Sequence, residues 1–370
     1  VKIVVALDKF KGCLTATAAC ASVRRGLLAA HPGLNVLCRP MADGGDGTAE
    51  VLHSALGGQW KRRRVTGPLP TIHPAARYLW HPAHRLAVIE MAAASGLADL
   101  RPSQRNPMRT TTYGTGELIA DAIQHGARHI LLGVGGSATV DGGVGAAMAL
   151  GWRFLDAAGE PVGFGGGELE RIARIVPPPR GWPAIEVLCD VENPLCGPSG
   201  AARVFGPQKG ATPSMVVRLE AGLRHLARLV KTQLGKAIGT VTGAGAAGGL
   251  AAGAMAFLDA RLVPGANAVI TACGLSDALD GAEWVITGEG SFDEQSLRGK
   301  VVSGILQLAR QRGTKVAVLA GTVQLSEARW RRAGLSTALA IREPGMSTAA
   351  SLAKARTLLA AAARRFALTL

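Results

Sequence analysis

The chain has 370 residues, of which 48% are hydrophobic and 18% charged, with a net charge of +15. That length exceeds one ordinary domain and suits two, and it buries a core without help from disulfides or metals. The composition excludes a disordered chain. The charge raises nucleic-acid binding, but the basic residues are dispersed and Lys61-Arg62-Arg63-Arg64 is the only tight run. Tyr and Phe are too few to form stacking platforms, so an enzyme that handles anions accounts better for the charge.

Lys2–Leu7 reads as a strand that ends in Asp8, not as a secretory leader. Residues 15–30 carry helical spacing (Ala19, Val23, Leu27) behind a Thr15 N-cap. Asn35–Cys38 is the next strand, which makes a βαβ unit and implies a parallel sheet. It leads into PMADGGDGT, residues 40–48, where Asp43 and Asp46 stand among glycines. Gly44 and Gly45 let backbone approach a ligand. Phosphate-cradling loops do not carry carboxylates, so Asp43 is better matched to a hydroxyl or a metal ion, while Asp46 suits a cap on the following helix.

The middle of the chain offers strands at Tyr78–Trp80, Leu86–Glu90, His129–Gly133 and Ile185–Cys189, with irregular loops between them. Pro177-Pro178-Pro179 breaks any helix there. Near the end, Glu283–Ile286, Val316–Leu319 and Thr337–Ile341 read as strands, Val301–Arg310 as a helix, and residues 347–366 as the last helix. The two chain ends thus supply five strands. The expected fold is α/β: a flavodoxin-like, doubly wound parallel sheet from residues 1–64 plus 275–370, with a second α/β domain, 65–274, inserted. A site is expected in the cleft between them.

The six cysteines show no C-x-x-C spacing and read as free thiols of a reducing, cytoplasmic compartment. No run of about 18 apolar residues marks a membrane span. Neither a nucleic-acid nor a membrane partner is expected, and the oligomeric state stays open.

No Walker A string exists. Gly243-x-Gly245-x-x-Gly248 matches a dinucleotide fingerprint, the basis for an oxidoreductase alternative. It lacks a preceding β-branched strand and a following acid at a strand end, so it reads as close helix packing by small residues. The strand-end acids are more informative: Asp8, Asp43, Glu90, Asp190 and Glu289. Any one alone could be a turn former or a cap. Together they crowd the carboxyl ends of strands, where open α/β sheets bind ligands.

Their neighbours sharpen the reading. LDKFKGCLTA adds Lys9 and Lys11 ahead of a helix. GVGGSATVDGG places Gly135, Gly136, Ser137 and Thr139 in an anion nest. CDVENPLCG holds Asp190, VFGPQKGAT holds Lys209, and TGEGSFDEQSLRGK holds Glu289, Asp293 and Lys300. Lysines and backbone N–H groups neutralise phosphate, while carboxylates hold Mg²⁺ or take a hydroxyl proton, so the set fits phosphoryl transfer. Metal-free acid–base chemistry on a small acid would draw on the same residues.

These strings, with VTGPL, IEMAAASGL, TTYGTGELIADAI and TGAGAAGGLAAGAMAFL, run collinearly over nearly the whole chain. In that order they resemble the bacterial glycerate kinases of the first class, the glycerate 2-kinase family. The resemblance implies ATP-dependent phosphorylation of D-glycerate at its 2-hydroxyl, giving 2-phosphoglycerate with Mg²⁺. On that expectation Asp190 is the general base, and Asp8 and Asp43 serve as base or Mg²⁺ ligand. Lys11, Lys209 and Lys300 neutralise phosphate or the substrate carboxylate. Gly135, Gly136 and Ser137 form the nest, and Glu289 and Asp293 hold the metal or the ribose. The chain departs from the family pattern at several places: Val140 replaces the usual Asn, Lys9 and Cys13 stand where Ser is common, and GPLPTIHPAARYLW lacks the usual Gly after Pro-Leu and is richer in His and aromatics.

Overall fold

The structure, a computed structural model, describes every residue except Arg180. In chain order the main elements are β1 (Lys2–Leu7), α1 (Ala16–Ala30), β2 (Asn35–Cys38), α2 (Thr48–Leu56), β3 (Gln59–Arg64), β4 (Ala75–His81), β5 (Leu86–Glu90), β6 (His129–Gly133), β7 (Ala184–Leu188), α3 (Ala246–Leu258), β8 (Arg261–Val263), β9 (Trp284–Gly288), α4 (Val301–Arg312), β10 (Lys315–Ala320), β11 (Thr337–Ala340) and α5 (Ala355–Ala367). The chain divides into two compact units: residues 1–43, 50–56 and 264–370, and residues 44–49 and 57–263.

The first unit is built on a parallel sheet of order β11-β10-β9-β1-β2 among the described residues. Along this unit's chain that is strand order 2-1-3-4-5, the flavodoxin-like winding. β1 explains itself from sequence: a continuous apolar run suits a central strand covered on both faces, and Ile3 through Leu7 are fully buried. Ile3, Val5 and Leu7 share a core with Val23 and Leu27 of α1 and with Leu359 and Phe366 of α5. Thr15 caps α1 as its sequence position predicts, accepting the Ala18 N–H at 3.2 Å. α1 crosses α5 closely at Gly26, where an added Cβ would stand 2.1 Å from the Ala360 carbonyl oxygen. The last helical stretch is two helices rather than one, Thr348–Ala353 and α5, because Lys354 (φ −102°, ψ 7°) leaves helical geometry between them.

The second unit carries a sheet of order β8-β7-β6-β5-β4-β3. β5, β6, β7 and β8 run parallel, whereas β3 and β4 pair antiparallel at one edge. The edge strand β3 contains the basic run, which the sequence placed at the end of the outer domain. Its pairing with β4, from Gln59 opposite Trp80 to Arg64 opposite Ala75, puts it in the second unit. Residues 264–274 in turn fall with the first unit. Charge is tolerated on an edge strand and discourages strand addition. Trp60 is covered by the Arg77 guanidinium, 4.2 Å from the ring centroid. Tyr78, Ile89, Ile130, Leu132 and Phe257 lie in this unit's core.

Candidate active site

In the first unit, three neighbouring strands deliver acids at their carboxyl ends. Asp8 follows β1, Asp43 lies beyond β2, and Glu289 follows β9. The chain steps from β1 to β2 on one side and later to β9 on the other, so Asp8 and Glu289 flank the topological switch point. Successive crossovers diverge there and leave room for a ligand.

Asp8 is 8% exposed. Its N–H donates to the Gly288 carbonyl at 3.0 Å, and its Oδ1 accepts the Lys9 N–H at 2.6 Å. Burial, reinforced by the Asp43 charge, raises its pKa from 3.8 to about 7, against the pull of Lys9. The Lys9 ammonium lies 3.6 Å from Asp43 Oδ1. Glu289 Oε1 is buried and has no hydrogen-bond partner among the described residues. Burial pushes its carboxyl up, while the Ser296 hydroxyl and the Lys300 charge pull it down. A buried carboxylate oxygen in that position calls for a proton or a cation.

The other residues singled out in this unit play different parts. Asp293 is committed to a turn, its Oδ1 accepting the N–H groups of Gln295 (2.8 Å) and Ser296 (3.3 Å). That geometry makes its Oδ1 a turn former, as short acidic side chains often are. Lys300 directly precedes α4, and its ammonium reaches Gln295 Oε1 at 3.4 Å. Lys11 is exposed on the β1–α1 loop, whose backbone passes Gly290. Among the described residues no group of three or more His, Cys, Asp or Glu side chains could by itself hold a metal.

In the second unit two glycine motifs meet. An added Cβ would stand 2.9 Å from the Gly44 oxygen at Gly133, 2.9 Å from Gly45 Cα at Gly135, and 2.8 Å from Asp46 Oδ1 at Gly136. Gly136 also has φ +69°, which favours glycine. Glu90 acts as a cap: its Oε1 accepts the Ala49 N–H in the first turn of α2 at 2.9 Å. Ser137 Oγ and the Thr139 carbonyl accept hydrogen bonds from the Lys209 ammonium at 2.7 and 2.8 Å. Lys209 is 2% exposed. Burial lowers its pKa to about 7, opposed by the negative Asp141. It is therefore a strut beneath the nest, not an exposed phosphate clamp. Asp190 is half-buried beyond β7, the sheet neighbour of β6, whose end carries the nest.

Sequence reasoning passed over Asp141 and Thr112. Asp141 Oδ2 accepts from the Thr112 N–H and Oγ1, both at 2.8 Å, and its Oδ1 accepts from the Gly143 N–H at 3.1 Å. Thr112 Oγ1 accepts the Ala146 N–H at 2.9 Å in turn. Burial pushes the Asp141 carboxyl up and these donors pull it back. The pair pins the turn that follows the nest. Its signal was the Asp-Gly-Gly of SATVDGG, since Gly142 and Gly143 both take positive φ. Val140 is fully buried in the core, so the departure there changes packing.

Of the G-x-G-x-x-G string, Gly248 packs against this same turn, while Gly243 and Gly245 lie against residues 189–194. Added Cβ atoms would stand 3.2 Å from Cys189 Sγ at Gly243, 2.3 Å from the Pro194 oxygen at Gly245, and 2.0 Å from the Thr139 oxygen at Gly248. Gly245 and Gly248 serve backbone-to-backbone approach, but residues 247–249 take left-handed φ, so the close packing is of turn backbone and not of a regular helix as expected. All six cysteines are free thiols. No helix of the described residues is long and apolar enough to cross a membrane.

Known proteins agree with this architecture. The model of the glycerate kinase family matches residues 3–370. A glycerate kinase of Halalkalibacterium halodurans is 43% identical over 370 residues, covering 99% of this chain and 97% of its own. The glycerate 2-kinase of Escherichia coli K12 is 42% identical over 326 residues, 87% of this chain and 85% of its own. A crystal structure from Salmonella typhimurium LT2, named as a glycerate kinase 2, superposes with a TM-score of 0.87 at 40% identity, covering 100% of this chain and 98% of that one. With its sheet order, strand-end acids and collinear motifs, the chain belongs to the glycerate kinase family of phosphotransferases.

Proposed function

We propose that the protein transfers the terminal phosphoryl group of ATP to the 2-hydroxyl of D-glycerate, with Mg²⁺, forming 2-phosphoglycerate. The observation that carries this reading is Glu289 Oε1, buried without a partner, beside Asp8 and Asp43 at the switch point. Hard oxygen donors of this kind fit Mg²⁺, which needs only one or two carboxylates and completes its shell with water and phosphate oxygens. Glu289 would hold the ion, helped by Asp8 or Asp43. Once bound it supplies charge neutralisation on the transferring phosphoryl group.

The chain's own residues bind, orient and move the proton. Lys11 and Lys300 attract phosphate oxygens by charge. Gly44, Gly45, Gly135 and Gly136 let backbone come close to an anion, and Ser137, held by Lys209, presents its hydroxyl there. Asp190 accepts the proton of the substrate hydroxyl while that oxygen attacks the terminal phosphorus. The bond to the β–γ bridging oxygen then breaks and ADP leaves. The name of the Escherichia coli relative supports the 2-position. Six free thiols suit a reducing cytosol, where we place the protein.

A coupled assay for ADP release with D-glycerate, L-glycerate and related hydroxy acids, followed by phosphorus NMR of the product, tests the reading. D-glycerate should be turned over fastest and give the 2-phosphate. Turnover of none of these acids with ATP and Mg²⁺, or a 3-phosphate product, would overturn it.

A further inference from the structure

We propose that the flank of β2 and α1 forms a second binding site, for an organic anion with an apolar body. A cavity of about 470 Å³ opens between these two elements. Its volume falls within the range of small-molecule sites, about 300–1,000 Å³. Because β2 ends the sheet, no further strand among the described residues covers its outer side.

The walls follow from the two periodicities. Cys20, Ala21, Arg24 and Leu28 recur at helical spacing and form one stripe of α1. Val36, Cys38 and Pro40 alternate along the chain and so share one face of the strand and its continuation. Most of these walls are apolar.

The lining is also electrostatically one-sided. Arg24 and Arg25 border the cavity, and no carboxylate does. Both are exposed, and neither guanidinium has an ion pair or a hydrogen-bond partner among the described residues. The thiols offer no counter-charge: burial pushes Cys20 up to about 12 and raises Cys38. Arg24 and Cys38 line the same cavity, and the Arg24 and Arg39 charges both pull the Cys38 thiol back down. Two unpartnered guanidinium groups above an apolar floor suit a carboxylate or phosphate head on a hydrocarbon or aromatic body. The lining runs up β2 to Cys38 and Pro40 at its carboxyl edge but includes none of Asp8, Asp43 or Glu289, and the proposal does not depend on the proposed phosphoryl transfer.

Octanoate is a suitable probe, and the Cys38 thiol in the cavity wall is a built-in reporter. The intact protein is treated with iodoacetamide at rising octanoate, and alkylation of Cys38 and of Cys13, also half-buried, is followed by peptide mass spectrometry. At a concentration four times its Kd, octanoate should slow Cys38 about fivefold by simple occupancy and leave Cys13 unchanged. 1-Octanol at equal concentration should protect far less. The protection should vanish in the double variant Arg24→Glu/Arg25→Glu and persist in Arg24→Lys/Arg25→Lys, with circular dichroism confirming the fold of each. If the charge-reversed variant does not fold, Arg24→Gln/Arg25→Gln replaces it. The proposal is overturned by an unchanged Cys38 rate, by equal protection from octanol, by parallel slowing of Cys13, or by protection that survives loss of both charges.

Discussion

Replacing Asp8 by Asn should stabilise the first unit at neutral and alkaline pH while damaging catalysis. Asp8 has a raised pKa, 3.8 becoming about 7, chiefly because it is buried and then because Asp43 is near. The native state therefore holds a proton that the unfolded chain has released. Stability from this group is fully present below about pH 4 and is lost as pH rises to about 7. At 1.36 kcal/mol per pH unit the full loss is about 4 kcal/mol, and about 1.6 kcal/mol of it has accrued by pH 5. Asn keeps an oxygen to accept the Lys9 N–H but cannot ionise. The advantage of Asp8→Asn over the parent should thus grow by roughly 2–3 kcal/mol between pH 5 and pH 8. With two units, global unfolding is not a safe readout. Hydrogen exchange of β1 peptides in graded urea reports on the first unit alone. An offset between variant and parent that is the same at both pH values would refute the reasoning, because ionisation of Asp8, opposed by burial and by the Asp43 charge, is its only pH-dependent element.

Asp190→Asn should lower kcat by roughly 10²-fold or more with nucleotide affinity nearly intact, since it removes only a proton acceptor; an equally active variant removes Asp190 from the chemistry. Lys11→Met should raise KM for an anionic substrate, and unchanged KM and kcat for both substrates would take Lys11 out of the site. Thr112→Val leaves the buried Asp141 short of a donor and the Ala146 N–H without its acceptor. It should cost about 1–3 kcal/mol in urea denaturation, with Thr112→Ser close to the parent. Gly26→Ala drives a methyl carbon onto the Ala360 carbonyl and should cost about 1–3 kcal/mol by overpacking, read as faster exchange in α1 and α5 peptides.

Much of the site was legible because strand-end acids announce themselves locally. β1 is an apolar run that stops at Asp8, and β2 stops just before Asp43, so both acids fall at a carboxyl edge in any parallel arrangement. What was not legible depended on partners far along the chain. Glu90 looked equivalent to Asp8 but accepts from Ala49, 41 residues away. Lys209 looked like a phosphate clamp, yet its ammonium turns inward to Ser137, 72 residues away. β3 carries too many charges for a strand pattern and becomes one only through its pairing with β4.

Local chemistry alone determined the apolar strands, the Thr15 cap, the turn glycines and the motif order that marks the family, because propensity, capping and spacing act over a few residues. Tertiary structure decided which charges survive. The raised Asp8, the lowered Lys209 and the unpartnered Glu289 oxygen all follow from desolvation. Desolvation is set by whatever packs above a residue, and its neighbours in sequence do not specify that.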